Sequence, residues 1–245
     1  MKLRKYQLYK TIGRSEDERS VSAQSVNNYI PLYSSFTYKG YNTYIYGNFN
    51  PYILNLLKRF FDLVVSSAAL ITGFPFLALL VIITKITSGG NVIFRQERIG
   101  KNGVPFCMYK FRSMYMHAES EGPQLAKDND PRITAWGKIM RKNRLDELPQ
   151  FLNVFFGQMS VVGPRPERLF YIKKIIEKAP EYKNLLSVKP GITSIGQVRY
   201  GYAENVDQMI ERMQLDLLYL NHQTLAADIA IIAETLRVMA QGKGK

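Results

Sequence analysis

Cysteine and histidine are scarce in this chain. Of 245 residues one is cysteine, Cys107, and two are histidine, His117 and His222. A single cysteine excludes an internal disulfide, and no Cys/His cluster has the spacing of a zinc site. Acidic residues are also in the minority, with 20 Asp and Glu against 33 Lys and Arg, and the formal net charge is +13. The sequence therefore predicts anionic partners: phosphorylated ligands, anionic lipid or nucleic acid.

The common nucleotide-binding signatures are also missing. Neither a Walker loop nor a G-x-G-x-x-G motif occurs, so no ordinary nucleotide-binding fold is indicated. The basic start, residues 1–20, is not followed by an apolar run, and we expect no cleavable signal peptide there. Residues 1–57 are polar and rich in tyrosine, which is typical of a mobile extension. An arm at the headgroup level of a membrane is the alternative, because tyrosine favours that interface.

One long apolar run stands out, at residues 63–83, which include no charged side chain. At about 1.5 Å per residue, a straight helix of this length crosses a hydrocarbon core of about 30 Å. Pro75 lies near its middle, where it removes a backbone hydrogen bond, so we expect a sharp bend. Both flanks are basic, with Lys58 and Arg59 before the run and Lys85 after it, which gives no charge asymmetry across a membrane. These features favour a re-entrant hairpin over a kinked spanning helix or a buried soluble helix.

A β-hairpin is predicted next, in "VIFRQERIGKNGVPFCMYKFRSM", where two β-prone runs meet at an Asn-Gly turn. Lys110 and Arg112 lie two residues apart and therefore on one side of a strand, as a phosphate clamp requires. A solvated hairpin face is an equal alternative. Short helices are predicted over residues 133–143 and from Pro149 to Gly157. The fold class is therefore mainly α with a small β-hairpin.

The stretch "RKNRLDELPQFLNVFFG" places two adjacent carboxylates, Asp146 and Glu147, just before Pro149. Helix capping is one explanation, although a single carboxylate suffices for a cap. Two neighbouring negative charges repel and need compensating cations. The basic residues near them in sequence are Arg141, Lys142, Arg144 and Arg165.

This combination of charges is suited to phosphoryl chemistry. A carboxylate acts as a general base, a metal ligand or a nucleophile, and cations neutralise a pyrophosphate. Mg²⁺ binds through one or two carboxylates together with substrate phosphates. Arg165 lies between Pro164 and Pro166, so its guanidinium is held in a rigid turn. The sequence therefore predicts a phosphoryl-handling site.

From about residue 57 to 239 the chain resembles the bacterial sugar transferase family, the monotopic polyprenyl-phosphate phosphoglycosyl transferases. The resemblance is carried by "KRFFD" before a Pro-broken apolar run, "FRQERIGKNGVPFCMYKFRSM", "RLDELPQFLNVFFGQMSVVGPRPE", "VKPGIT" and "DLLYLNHQTLAADIAIIAETL". The L-D-E-L-P-Q and G-P-R-P motifs together are highly specific. The resemblance implies transfer of a sugar-1-phosphate from a UDP-sugar to undecaprenyl phosphate, with release of UMP. This reaction is a first membrane step of polysaccharide or glycoconjugate biosynthesis.

The same resemblance implies roles for the site residues. Asp146 would be the nucleophile that forms a covalent phospho-sugar enzyme, and Glu147 would assist proton transfer or hold Mg²⁺ together with Asp146. The basic residues implied to contact substrate phosphate are Arg141, Lys110, Arg112 and Arg165.

The resemblance also implies a membrane arrangement. A re-entrant helix broken at Pro75 would make the protein monotopic, with an interfacial catalytic domain on the cytosolic face of the cytoplasmic membrane. We divide the chain into an N-terminal extension (residues 1–57), a membrane hairpin (58–88) and a catalytic domain (89–245). The extension is too short for the four-helix membrane module of larger relatives, which indicates the small, single-hairpin form. Membrane lipid is then a partner and nucleic acid is not, while the oligomeric state is left open.

Two rival functions remain at this point. A membrane-anchored binding protein would use the positive charge to hold anionic lipid or nucleic acid without catalysis. A single-pass structural or assembly protein would place residues 1–57 outside the cell. Neither rival requires an acid pair among cations, which favours the enzyme.

Overall fold

The computed structural model describes residues 51–88, 90–119, 122–126, 129–221 and 223–242. The predicted extension, residues 1–57, lies almost entirely outside them. The described chain is mostly helical, which confirms the predicted class. Its helices are α1 (Pro51–Ser88), α2 (Ala135–Lys142), α3 (Gln150–Phe155), α4 (Leu169–Lys178), α5 (Ile195–Arg199), α6 (Val206–Asn221) and α7 (Leu225–Ala240). Its strands are β1 (Ile93–Ile99), β2 (Pro105–Phe111), β3 (Ser160–Val162) and β4 (Gly191–Thr193).

Helix α1 is long and apolar enough to cross a membrane, and it contains Pro75. Its middle is exposed, with Ile71 and Phe74 showing 74% and 68% of their surface. Its buried positions lie toward the two ends of the apolar run. Asp62 and Ser66 are buried at one end, and Leu80 and Thr84 at the other.

The first arm of α1 is fixed by polar contacts. Asp62 Oδ1 accepts hydrogen bonds of 2.9 Å from Ser160 Oγ and from the backbone N–H of Val161. Lys58 Nζ donates to Val162 O at 3.0 Å and pairs with Asp228 Oδ2 at 2.5 Å. These bonds join the helix to β3 and α7.

The second arm of α1 contacts a different part of the same compact unit, which extends from Leu57 to Lys245. Leu80 packs with Phe111 and Met140 in an apolar cluster. Thr84 Oγ1 accepts a hydrogen bond of 3.1 Å from the Trp136 indole. Both arms of the helix are therefore attached to one body of protein.

The predicted β-hairpin is confirmed. Strands β1 and β2 pair antiparallel, with Phe94 opposite Lys110. The turn takes Asn102 and Gly103 to φ values of 57° and 69°. Asparagine and glycine tolerate this left-handed region, which explains why an Asn-Gly pair occurs at this point.

A second pair of strands was not predicted. Strands β3 and β4 pair parallel, with Ser160 opposite Gly191 and Val162 opposite Thr193. The backbones approach closely where β3 ends, because a β-carbon on Gly191 would lie 2.1 Å from Gly163 N. The glycines of "VVGPRPE" and "VKPGIT" therefore allow the two backbones to lie in close contact.

The main apolar core joins α4, the 3₁₀ segment Pro180–Ser187 and α6. Its buried side chains include Ile172, Ile175, Met209 and Met213. The apolar side of α6 thus packs into the core. Helix α6 ends at Asn221, and in the first turn of the helix that follows, Thr224 accepts a hydrogen bond from the N–H of Ala227. This break was not predicted from the sequence.

We expect Asp62→Ala to destabilise the fold, because it leaves two buried donors without their acceptor. The loss should be about 2–4 kcal/mol in free energy of unfolding, or roughly 5–15 °C in the thermal midpoint. Thermal unfolding of the protein in lipid nanodiscs measures this. The control is Thr72→Ala, since the exposed Thr72 hydroxyl donates to Ala68 O of its own helix. Equal midpoints for the two variants would contradict the anchoring role of Asp62.

Candidate active site

The acid pair lies in a 3₁₀ turn, Leu145–Glu147, between α2 and α3. Arg144 precedes it with φ at 54°, which turns the chain sharply after α2. Asp146 and Glu147 are buried, with exposures of 6% and 4%. Helix α3 begins after Pro149 without a side-chain cap. Capping therefore does not explain the two carboxylates.

Glu147 is surrounded by cations. Its Oε1 atom lies 3.2 Å from Lys110 Nζ and 3.4 Å from Arg165 Nη1, and its Oε2 atom lies 3.8 Å from Arg144 Nη1. Burial alone would raise the pKa of Glu147, but these three positive charges outweigh it and lower the pKa to about 2. Glu147 is therefore a permanent anion that ties strand β2, the acid turn and the Arg165 turn together.

Asp146 is in a different environment from its neighbour. Among the described residues its carboxylate accepts no hydrogen bond, and it lines a cavity of about 470 Å³. Burial, followed by the negative charge of Glu147, raises the pKa of Asp146, while Lys110 and Arg141 oppose this shift. The environments of two adjacent carboxylates thus push their pKa values apart, as at sites where two acids have different roles.

The structure brings the predicted phosphate-binding residues to this cavity. Lys110, Arg112, Arg141 and Arg165 all line it together with Asp146, whereas Glu147 lies behind it. Arg141 is notable because its Nη1 atom is buried and has no hydrogen-bond partner in the described part of the chain. A phosphate oxygen is a natural acceptor for such a donor.

A buried ion-pair group, which was not predicted from the sequence, supports the Arg165 turn. Glu167 lies 3.2 Å from Arg98 Nη1 and 2.6 Å from Arg212 Nη2 through its two oxygens. Arg98 also donates to Pro166 O at 3.0 Å. Burial lowers the pKa of Arg98 to about 10, although Glu167 opposes the shift. The three charged residues come from β1, the Pro-rich turn and α6, so sequence spacing gave no signal of their contact.

Asp216 holds the same turn from the other side. Its two oxygens accept from the backbone N–H of Gly196 at 2.9 Å and of Arg165 at 3.4 Å. Burial raises the pKa of Asp216 to about 6 despite these hydrogen bonds. The Arg165 guanidinium also lies 6.0 Å from the ring centre of Tyr202, within range of a cation–π contact. The backbone and the side chain of Arg165 are therefore both fixed.

Another wall of the cavity is formed by the chain after β2. Arg132 Nη1 donates to Ala118 O at 3.2 Å and to Gln124 Oε1 at 2.9 Å, and its Nη2 donates to Leu125 O at 3.2 Å. Tyr171 Oη donates to Pro123 O at 3.0 Å. This segment lines the cavity mostly with uncharged residues and adds one carboxylate, Glu119, which pairs with Arg168 at 2.8 Å.

Asp146 and Glu147 are the carboxylates of the acid turn that could bind Mg²⁺. The described residues form no group of three His, Cys, Asp or Glu side chains that would hold a metal on its own. Mg²⁺ commonly takes one or two carboxylates and completes its shell with phosphate oxygens and water. Asp146 fits as one such ligand. Glu147 would have to give up its ion pairs with Lys110 and Arg165 to be another.

Comparison with known proteins identifies relatives. A protein from Aeromonas hydrophila named UDP-N-acetylgalactosamine-undecaprenyl-phosphate N-acetylgalactosaminephosphotransferase is 38% identical over 192 residues, 78% of this chain and 45% of that protein. A UDP-glucose:undecaprenyl-phosphate glucose-1-phosphate transferase from Klebsiella pneumoniae is 41% identical over 74% of this chain and 39% of that protein. An exopolysaccharide production protein from Rhizobium leguminosarum bv. phaseoli is 38% identical over 77% of this chain and 98% of that protein.

The chain thus spans less than half the length of the first two relatives and matches nearly all of the third. Residues 53–242 match the family described as bacterial sugar transferase. That match covers nearly all of helix α1 and the whole of the hairpin, the acid turn and the Arg165 turn. The chain belongs to the bacterial sugar transferase family.

Proposed function

We propose that this protein transfers a sugar-1-phosphate from a UDP-sugar to undecaprenyl phosphate and releases UMP. The observation that carries the proposal is the contrast between Asp146 and its surroundings. No described residue donates a hydrogen bond to the Asp146 carboxylate, and Lys110, Arg141 and Arg165 supply positive charge to its cavity. A cavity of this kind attracts a pyrophosphate and leaves one carboxylate oxygen available for reaction. The names of the relatives support the same two substrates.

In the proposed first step, an Asp146 oxygen attacks the sugar-bearing phosphorus of the donor. A bond forms between that oxygen and phosphorus, the phosphoanhydride bond breaks, and UMP leaves with the bridging oxygen. In the second step a phosphate oxygen of undecaprenyl phosphate attacks the same phosphorus and releases the Asp146 carboxylate. The cations stabilise the negative charge that builds up on the phosphoryl oxygens and the leaving group.

For Glu147 we propose a positioning role. With its pKa lowered to about 2 it remains ionised at neutral pH and is a poor proton acceptor. Its oxygens hold Lys110 and Arg165 beside the cavity. Mg²⁺, when bound, would neutralise phosphate charge, with Asp146 as the protein ligand that fits best.

The membrane arrangement is part of the proposal. A helix that crossed a bilayer would place its two ends on opposite sides. Both arms of α1 are instead attached to one unit, through Asp62 at one end and Thr84 at the other, while the apolar middle stays exposed. These contacts support a hairpin that enters and leaves the same face near Pro75. We place the catalytic domain on the cytosolic face of the cytoplasmic membrane, where a lipid phosphate lies at headgroup level.

We expect Asp146→Asn to abolish turnover while the protein still binds membranes, because asparagine is nearly isosteric but a poor nucleophile. UMP release from a panel of UDP-sugars with undecaprenyl phosphate and Mg²⁺ should fall by about three orders of magnitude or more. The matched control is Asp207→Asn, which changes an exposed carboxylate paired with Lys178 and should keep full activity. Turnover by Asp146→Asn would exclude the nucleophile assignment. No release by the wild type with any donor would favour a binding protein without catalysis.

One negative and one positive charge near Asp146, those of Glu147 and Arg141, should move its titration in opposite directions. Asp146 reacts only when ionised, so activity falls as the pH drops through its pKa. Removing the negative charge in Glu147→Gln should lower the pKa of Asp146 and move the acid limb to lower pH. Removing the positive charge in Arg141→Gln should raise that pKa and move the limb to higher pH.

The measurement is the pH profile of kcat/KM for the donor, scaled to the maximum of each variant. Shifts in the same direction would contradict the assignment of this limb to Asp146.

The hairpin predicts that both ends of α1 lie on one side of the membrane. In a Cys107→Ser background, single cysteines replace Asn55 and Thr87, which are exposed near the two ends. Neither should react with a membrane-impermeant maleimide in intact cells, and both should react after permeabilisation. Adding Pro75→Leu should straighten the helix and expose one of the two sites from outside. Labelling of a single site in the parent protein would instead indicate a spanning helix.

A further inference from the structure

A shallow groove lies beside the second arm of α1, outside the cavity of Asp146. Its apolar lining combines Val81 of the helix with Val92, Ile93 and Phe94 at the start of the hairpin. Its basic lining is Lys85, Arg95 and Arg112. The described residues bring no acidic side chain to this lining. The groove is therefore suited to a ligand that is apolar along its length and anionic at one end.

Two of the cations converge on one point of the chain. Lys85 Nζ donates to Gly90 O at 3.2 Å. A β-carbon on Gly90 would lie 2.8 Å from Arg112 Nη1, so the Arg112 guanidinium packs against this glycine. The positive charges at this end of the groove are thus close together, as binding of a single phosphate requires.

The groove connects a membrane-facing helix with the cavity. Lys85 lies in the last turn of α1, where a basic side chain at the end of an apolar run reaches the headgroup level. Phe94 and Arg112 line both the groove and the cavity of Asp146. A lipid phosphate that entered beside α1 would therefore arrive next to the reacting carboxylate.

We propose that this groove binds the lipid acceptor. The cations Lys85, Arg95 and Arg112 hold the phosphate of a polyprenyl phosphate, and the apolar residues contact its first isoprene units. The proposal rests on the transferase function argued above and adds a separate entry route for the second substrate. The acceptor phosphate passes Phe94 and Arg112, and its oxygen attacks the phosphorus held on Asp146. The bond from phosphorus to Asp146 breaks, and the product is a polyprenyl diphosphate sugar.

The two half-reactions allow a direct test. Exchange of labelled UMP into UDP-sugar requires Asp146 but no acceptor, whereas full transfer requires the lipid. In nanodiscs, the Lys85→Ala/Arg95→Ala double variant should raise the KM for undecaprenyl phosphate about tenfold, the equivalent of about 1.4 kcal/mol. The rate of UMP exchange by this variant should stay within about twofold of the wild-type rate, the equivalent of about 0.4 kcal/mol.

The control is Lys173→Ala/Lys178→Ala, which removes the same charge from the exposed side of α4. It should leave both activities unchanged, and a raised KM in this control would show that only general attraction to anionic lipid is at work. An unchanged KM in the groove variant, or an equal loss of exchange and transfer, would overturn the groove assignment. Failure of the wild type to exchange UMP would overturn the transferase function as well.

Discussion

The cluster of Lys110, Arg144 and Arg165 around Glu147 is the interaction on which the site depends. Arg144 and Glu147 are buried and Lys110 and Arg165 are partly buried around the same point, and none of these charges is stable there alone. Because Glu147 compensates the cations, they stay beside the cavity when no substrate is bound. Asp146 next to it has no such ion pair with a described residue, and no described donor bonds its oxygens. One carboxylate thus stabilises the site, and the other is the one we propose for the chemistry.

Further contacts connect this cluster to the apolar helix α1. Glu167 and Asp216 fix the turn that presents Arg165, and Asp62 fixes the helix to the strand that precedes that turn. The second arm of the helix packs on α2, which leads to Arg141 and the acid turn. Both arms of α1 therefore contact elements that hold the acid turn and the Arg165 turn. Under the proposed function, this linkage brings a lipid substrate and a water-soluble donor to one site.

Local signals in the sequence predicted much of this. Asn102-Gly103 specified the hairpin turn. The spacing of Lys110 and Arg112 predicted a shared side of the strand, with a phosphate clamp and a solvated face as equal alternatives, and in the structure both line the cavity. The short strands β3 and β4 gave no signal, because three residues are too few for a periodic pattern. The contact of Glu167 with Arg98 and Arg212 joins distant elements and is fixed only by tertiary packing. Thr224 was a recognisable helix-capping residue, and the break before α7 was predictable from it.

The central claim is that Asp146 carries the sugar phosphate between two half-reactions. The most direct measurement is the intact mass of the protein after incubation with UDP-sugar and Mg²⁺ in the absence of lipid acceptor. We predict a mass increase equal to one sugar-phosphate group, located on the peptide that contains Asp146, and its loss when undecaprenyl phosphate is added. An unmodified protein that nevertheless completes transfer, or a modification on another residue, would contradict the account.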